Sequence, residues 1–206
     1  PETLPITESS PREPINPYGA TKLFFEHVLS AYNVSHSLRY VALRYFNAAG
    51  AHANGMIGEI HDPETHLIPL ALKAVLKTAP PLKVFGKGFD TPDGTCIRDY
   101  VHVSDLGSAH ALALEYLANG GASISLNLGT GQGTSIKEVL DSFRRLTGLN
   151  VPHEFAPPRT GDPPALFANS AKAKEVLGWV ARRDIDEILI SAWKWQQKLE
   201  AAKYRI

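Results

Sequence analysis

The sequence is short of several features that would fix its class at once. One cysteine, Cys96, stands among 206 residues, so no internal disulfide can form. A reducing compartment, the cytoplasm, is the expected location. The 21 basic and 21 acidic side chains cancel, which leaves no general attraction to nucleic acid or to an anionic membrane. No apolar run approaches the roughly 20 residues that span a bilayer. There is no basic-then-apolar signal pattern, no internal repeat and no low-complexity tract. An initiator methionine is also missing. The chain opens at Pro1 with "PETLPITESSPREPINPYG", dense in Pro and Ser and without an apolar period, as in a loop entered midway. The sequence therefore reads as a piece of a longer chain.

What is present alternates between strand and helix signals. Asn16 is a good N-cap and Pro17 suits the first helical position, predicting a helix to about Tyr32. "LRYVALRYFN", Leu38 to Asn47, reads as a buried strand. "LIPLALKAVLK" is a helix with Pro69 in its first turn, and "LKVFG" a short strand. "GKGFDTPDGTCIRDY" is a loop with its tip at Pro92-Asp93-Gly94. "YVHV" and "ISLNLG" are strands flanking the helix "SDLGSAHALALEYLA". Ser135 and Glu138 form a capping-box pattern before "IKEVLDSFRRLTG". Gly178 closes a short helix, and Asp184 and Glu187 open the last one. Ile185, Ile188, Leu189, Ala192, Trp193 and Leu199 share one face of it. The pattern predicts an α/β class with mostly parallel strands.

One pair carries chemistry. Tyr18 and Lys22, at i and i+4, share a helix face about 6 Å apart at Cβ. A free phenol titrates at about pH 10. A neighbouring ammonium favours the phenolate, so Y-x-x-x-K is a means of making a phenol serve as a general base. The motif is short, and an ordinary amphipathic helix also produces it.

The context adds to it. Asn16-Pro17 before the Tyr and "LRYFNAAGAH" after the helix resemble the extended short-chain dehydrogenase/reductase family. "GEIHDPETHLIPLAL", "DTPDGTCIRDYVHVSDLGSAHALALEYL" and "FAPPRTGDPPALFANSAKAKEVLGW" resemble segments of UDP-glucose (UDP-galactose) 4-epimerases, in the same order, from about Pro14 to the last helix. The resemblance is to the C-terminal part of those enzymes.

The resemblance implies residue roles. Tyr18 would be the catalytic base, and Lys22 would bind the nicotinamide ribose of NAD. Tyr45, Phe46 and Asn47 would lie where the cofactor and sugar diphosphate meet. His66 (often Asn in the family) and Leu67 would approach the diphosphate or uridine. Val84 and Phe85 would pack around the uracil. Arg98 and Arg159 would grip the diphosphate, Asp162 would bond the uridine ribose, and Tyr100 would face the nucleotide. Two arginines from distant loops suit bidentate phosphate binding. The competing reading for Arg98 is a salt bridge to Asp99 or Asp105. Leu166 would stand where some relatives carry a larger Tyr beside the sugar C2, although packing alone also explains a leucine.

Three features look functional and are read otherwise. Gly129, Gly131 and Gly133 follow a strand and precede a helix, but G-x-G-x-G is one residue short of the dinucleotide fingerprint. The expectation is a tight turn. His61, Asp62, Glu64 and His66 match no common zinc spacing and read as a solvated polar loop without metal. Of Trp193 and Trp195, one ring is expected buried and the other exposed.

By resemblance the fold is the last part of a Rossmann-type NAD-binding domain (1–50 and 99–122) plus a smaller substrate domain (51–98 and 123–206). The Gly-rich NAD motif and the Ser or Thr partner of the Tyr would lie ahead of Pro1, leaving these residues inactive alone. The implied activity of the longer enzyme is NAD-dependent 4-epimerisation of a UDP-hexose by a homodimer. The alternatives are a UDP-arabinose, UDP-xylose or UDP-N-acetylglucosamine 4-epimerase, a sugar-nucleotide 4,6-dehydratase, and a non-catalytic nucleotide-sugar-binding module.

Overall fold

The computed structural model describes residues 3–159 and 161–203. The elements run α1 (Pro17–His36), β1 (Val41–Tyr45), β2 (Asn47–Ala49), α2 (Leu67–Val75), β3 (Leu82–Phe85), β4 (Ile97–Arg98) and β5 (Tyr100–His102). There follow α3 (Val103–Ala118), β6 (Ile124–Leu128), β7 (Thr134–Ser135), α4 (Ile136–Thr147), β8 (His153–Ala156), β9 (Ala165–Leu166), α5 (Ala171–Leu177) and α6 (Ile185–Lys203).

Local chemistry sets most of these boundaries. The Asn16 side chain accepts the Gly19 N–H at 2.8 Å, with Pro17 beside it. Helix α1 then runs one turn past its expected end, to a left-handed Ser37. Ser135 and Glu138 make the full reciprocal capping box at α4. Asp184 and Glu187 bond each other's backbone N–H at α6. Gly178, at φ 67°, ends α5 in a conformation that a Cβ would strain.

The strand expected from Leu38 to Asn47 is two strands. β1 pairs in parallel with β6, whereas β2 pairs in parallel with β5. The chain changes partner at Phe46. β3 pairs in parallel with β8, and β4 lies between antiparallel β7 and parallel β9. Among the described residues only one ladder is antiparallel, which agrees with the α/β, mostly parallel expectation. Strand β8 has no counterpart in the sequence reading.

Two apolar clusters hold these layers. One gathers Val101, Leu106, Leu126, Leu128, Leu177 and Trp179 between β5, α3, β6 and α5. The Trp179 indole N–H donates to Asp105 O at 2.9 Å, so the largest buried ring leaves no polar atom unmatched. The other joins Leu72, Val84, Phe143, Ile188 and Leu189 between α2, β3, α4 and α6. Of the α6 face predicted to be apolar, Ile185, Ile188, Leu189, Ala192 and Trp193 pack there, and Leu199 lies outside the cluster. No described helix is long and apolar enough to cross a membrane.

Candidate active site

A cleft of about 450 Å³ opens between α2, β3, β4 and the loop after β8. Its size suits a small-molecule ligand. Alternation in β3 buries Leu82 and Val84 and leaves Lys83 and Phe85 more exposed, and Leu82, Lys83 and Phe85 all reach the cleft wall. The 130-series turn and β7 bring Ile136 to the same wall.

Eight of the predicted site residues line this cleft: Asn47, His66, Leu67, Phe85, Arg98, Tyr100, Arg159 and Asp162. They come from segments more than a hundred positions apart. Arg98 Nη1 donates to the carbonyl of the preceding Ile97 at 2.8 Å and to Pro163 O at 2.9 Å, which fixes the side chain in the cleft. Among the described residues it forms no ion pair, so the salt bridge to Asp99 or Asp105 is not made. Asp99 instead accepts from Thr130 and from the Ala168 N–H. Asp105 accepts from the Arg182 and Arg183 N–H groups and pairs with Arg183. The Arg159 guanidinium stacks on Phe85, 3.8 Å from the ring centroid. Three cations, Lys83 among them, thus line one cleft, and among the described residues Arg98 and Arg159 form no carboxylate ion pair, an arrangement that attracts a phosphorylated ligand.

The two groups with acidic protons at the back of the cleft are held neutral. Burial pushes the Tyr100 phenol well above its usual range, against the opposing charge of Arg98. Burial also raises the Cys96 thiol, again opposed by Arg98. A reactive thiolate is thereby disfavoured.

The other predicted residues lie outside this lining. Val84 is 1% exposed and belongs to the core. Leu166 sits in β9 as the register partner of Arg98. Tyr45 and Phe46 occupy the point where the chain leaves β6 for β5. Tyr18 and Lys22 are exposed on the first turns of α1, and Lys22 Nζ lies 5.0 Å from the Tyr18 ring centroid. The helix does bring them together, with the ammonium over the ring face. Sequence reasoning missed Lys83 on the cleft wall. The period of two that exposes Phe85 also exposes Lys83, so the signal was available.

The glycine segment is a tight turn, as expected. A Cβ on Gly129 would stand 2.2 Å from Asp99 Oδ2, which explains the need for glycine there. The polar loop before α2 is largely exposed, as expected, but its side chains cluster. His61, Glu64 and His66 converge with Glu59, and Asp62 is left out. The Glu64 side chain is 5% exposed, whereas His61, Asp62, Thr65 and His66 are exposed, as in a solvated polar loop. Burial opposes ionisation of Glu64, but bonds from the His66 and Thr65 N–H groups outweigh it and hold the carboxyl below its usual value. Glu59 moves the other way, raised first by burial. The tryptophans depart from expectation, because both are half-buried. Trp193 meets Phe143 edge-on at 5.4 Å. The Trp195 indole donates to Glu59 O at 2.9 Å, with Gly58 against its ring.

Residues 1–129 match the family model described as "NAD dependent epimerase/dehydratase family". The chain belongs to that family. It is 51% identical over 198 residues to a UDP-glucose 4-epimerase of Rhizobium leguminosarum bv. trifolii, covering 96% of this chain and 61% of that protein. The crystal structure of UDP-glucose 4-epimerase from Brucella ovis in complex with NAD superposes with a TM-score of 0.90 at 54% identity, over 93% of this chain and 59% of that one. A UDP-glucose-4-epimerase from Stenotrophomonas maltophila, with bound NAD and formylated UDP-arabinopyranose, gives 0.94 at 40% identity, over 98% and 61%. The chain therefore spans about three fifths of the length of these epimerase/dehydratase relatives.

Proposed function

We propose that the cleft binds the nucleotide of a UDP-hexose, and that Tyr18 and Lys22 form the acid–base pair of an NAD-dependent 4-epimerase in the whole protein. The observation that carries this reading is the meeting of Arg98 and Arg159, free of carboxylate ion pairs among the described residues, with Asn47, Phe85, Tyr100 and Asp162 in one cleft. Relatives named UDP-glucose 4-epimerase, and NAD in their solved structures, support it.

The chemistry divides among this chain's residues. Arg98 and Arg159 bind the diphosphate, and Phe85 and Leu67 supply apolar walls for the base. Asp162 accepts from the ribose hydroxyls. Tyr18 takes the proton of the sugar 4-hydroxyl as C4 loses its hydrogen. Lys22 provides a positive charge beside the phenolate while the proton is away. The 4-keto sugar turns about its diphosphate link, held by the two arginines. Hydride return on the other face inverts C4, and Tyr18 protonates the oxygen. When bound, NAD+ supplies the hydride acceptor and its return. An exposed Tyr–Lys pair at a helix start, with Tyr45 and Phe46 at a strand crossover, fits the nicotinamide end of that cofactor.

For the two-unit division the clusters give partial support: β1, β5 and α3 pack together on the cofactor side and α2, β3, α4 and α6 on the substrate side, but β6 and α5, beyond residue 122, pack with β5 and α3. A homodimer is supported by the apolar groups that α1 leaves exposed, among them Phe24, Phe25 and Val34. The lone buried thiol agrees with a cytoplasmic setting.

A UDP-pentose is the second reading, favoured by the formylated UDP-arabinopyranose bound to the Stenotrophomonas relative. Incubating the whole protein with NAD+ and either UDP-galactose or UDP-arabinose tests both. Conversion of UDP-galactose to UDP-glucose is expected. Conversion of the pentose alone would replace the hexose reading, and conversion of neither would remove both.

A further inference from the structure

Four side chains beside the cleft converge on one point. His66 Nδ1 is 2.9 Å from Glu59 Oε1 and 3.1 Å from Glu64 Oε1. His61 Nδ1 is 3.1 Å from Glu59 Oε1 and 3.8 Å from Glu64 Oε2. The two rings lie 4.8 Å apart, and all four donor atoms fall within 4.8 Å of one another. A tetrahedral site with metal–ligand bonds of about 2.0–2.1 Å has edges of about 3.4 Å. The observed separations bracket that value.

We propose that Glu59, His61, Glu64 and His66 form a closed, structural site for a divalent cation of the zinc class. Two imidazoles favour zinc, cobalt or nickel over magnesium or calcium. Four protein ligands fill a tetrahedron and leave no open position, so the ion braces the loop and does not act on substrate. Two carboxylates also neutralise a divalent charge. In the absence of a cation, they face each other at the edge of the protein, offset by imidazole N–H groups, by the Thr65 and His66 backbone N–H groups on Glu64, and by the more distant Lys73.

The ligands are positioned by contacts outside the cluster. Trp195 holds the Glu59 backbone through its carbonyl. The Thr65 and His66 N–H groups hold the Glu64 carboxylate at 2.8 and 2.9 Å. His66 is also the N-cap residue of α2. The metal would thus tie residues 59–66 to the start of α2. With Nδ1 on the metal, His66 carries its proton on Nε2. The inference stands on these four side chains and is independent of the nucleotide reading.

The test is titration of the metal-stripped whole protein with Co2+, followed by displacement with Zn2+. One equivalent of Co2+ should give visible ligand-field absorption of tetrahedral intensity. Zn2+ should abolish it, and excess Mg2+ should leave it unchanged. His61→Ala and Glu59→Gln should each weaken binding at least about tenfold, while His153→Ala, at an exposed histidine elsewhere, should not. X-ray absorption of the unaltered zinc-loaded protein should give a shell of two imidazoles and two carboxylate oxygens. Absence of saturable 1:1 binding, binding indifferent to His61→Ala, or a different ligand shell would overturn the proposal.

Discussion

The guanidinium carbon of Arg159 lies 3.8 Å from the centre of the Phe85 ring. Stacking restrains a long side chain that is otherwise exposed, and directs its donors to the cleft. Arg159→Ala should weaken UDP binding by about ten- to a hundredfold, the range for loss of hydrogen bonds to a charged group. Arg159→Lys should recover only part, because an ammonium neither stacks as well nor binds bidentately. Phe85→Leu should fall between. Calorimetric titration with UDP reads all three, and equal affinity across the series would count against the stacked geometry.

Asp99 is fully buried, and its carboxylate accepts from the Thr130 N–H at 2.9 Å, the Thr130 hydroxyl at 2.7 Å and the Ala168 N–H at 3.1 Å. It joins three separate segments behind the cleft. Asp99→Ala leaves those donors without a partner and should cost at least about 2 kcal/mol. Urea unfolding measures it, and an unchanged midpoint would show that the donors find other acceptors.

Gly129 faces the same carboxylate. An added Cβ would also come within 2.7 Å of the Ala168 Cβ. Gly129→Ala should therefore destabilise by about 1–3 kcal/mol, the usual range for overpacking. Gly120→Ala is a poorer control because φ there is 90°, whereas Gly107, with open space around it, should tolerate alanine. Similar losses at Gly129 and Gly107 would refute the steric account.

Glu26 is bonded by Arg44 through Nε at 2.7 Å and by Arg12 at 2.9 Å. The Arg44 bond is the main reason that its carboxyl lies below the usual value, against a cost from burial. A carboxyl lowered by folding contributes stability above its unfolded pKa, about 4.3, and loses it as pH falls through the folded value. Glu26→Gln should thus be less stable than the parent at about pH 7, with the gap closing below about pH 4. Chemical unfolding of both proteins across that range tests the sign, and a constant gap would contradict it.

Much of this was legible in the sequence where one residue acts on its neighbours. Asn16, Ser135 and Asp184 cap helices through side chains that reach only three positions, so their patterns are local. The family resemblance also gave eight of the residues that line the cleft. What escaped depends on partners far away in the chain. Strand β8 shows no apolar alternation, since His153, Glu154 and Phe155 are all exposed, and only its pairing with β3 makes it a strand. The break at Phe46 is visible only in the pairing, with β1 on β6 and β2 on β5. The convergence of side chains before α2 is not legible because spacing in the chain says nothing of Glu59, which the Trp195 indole holds in place from the far end of the sequence.

The most direct test of the central claim is the kinetics of UDP-galactose epimerisation by the whole protein, with NAD+ present, for the parent and for Tyr18→Phe. The account predicts turnover by the parent and a fall in kcat of about 10²–10⁴ on removal of the phenol oxygen, with UDP affinity unchanged. A parent that binds UDP and NAD+ without interconverting the sugars, or a Tyr18→Phe variant that keeps its full rate, would contradict it.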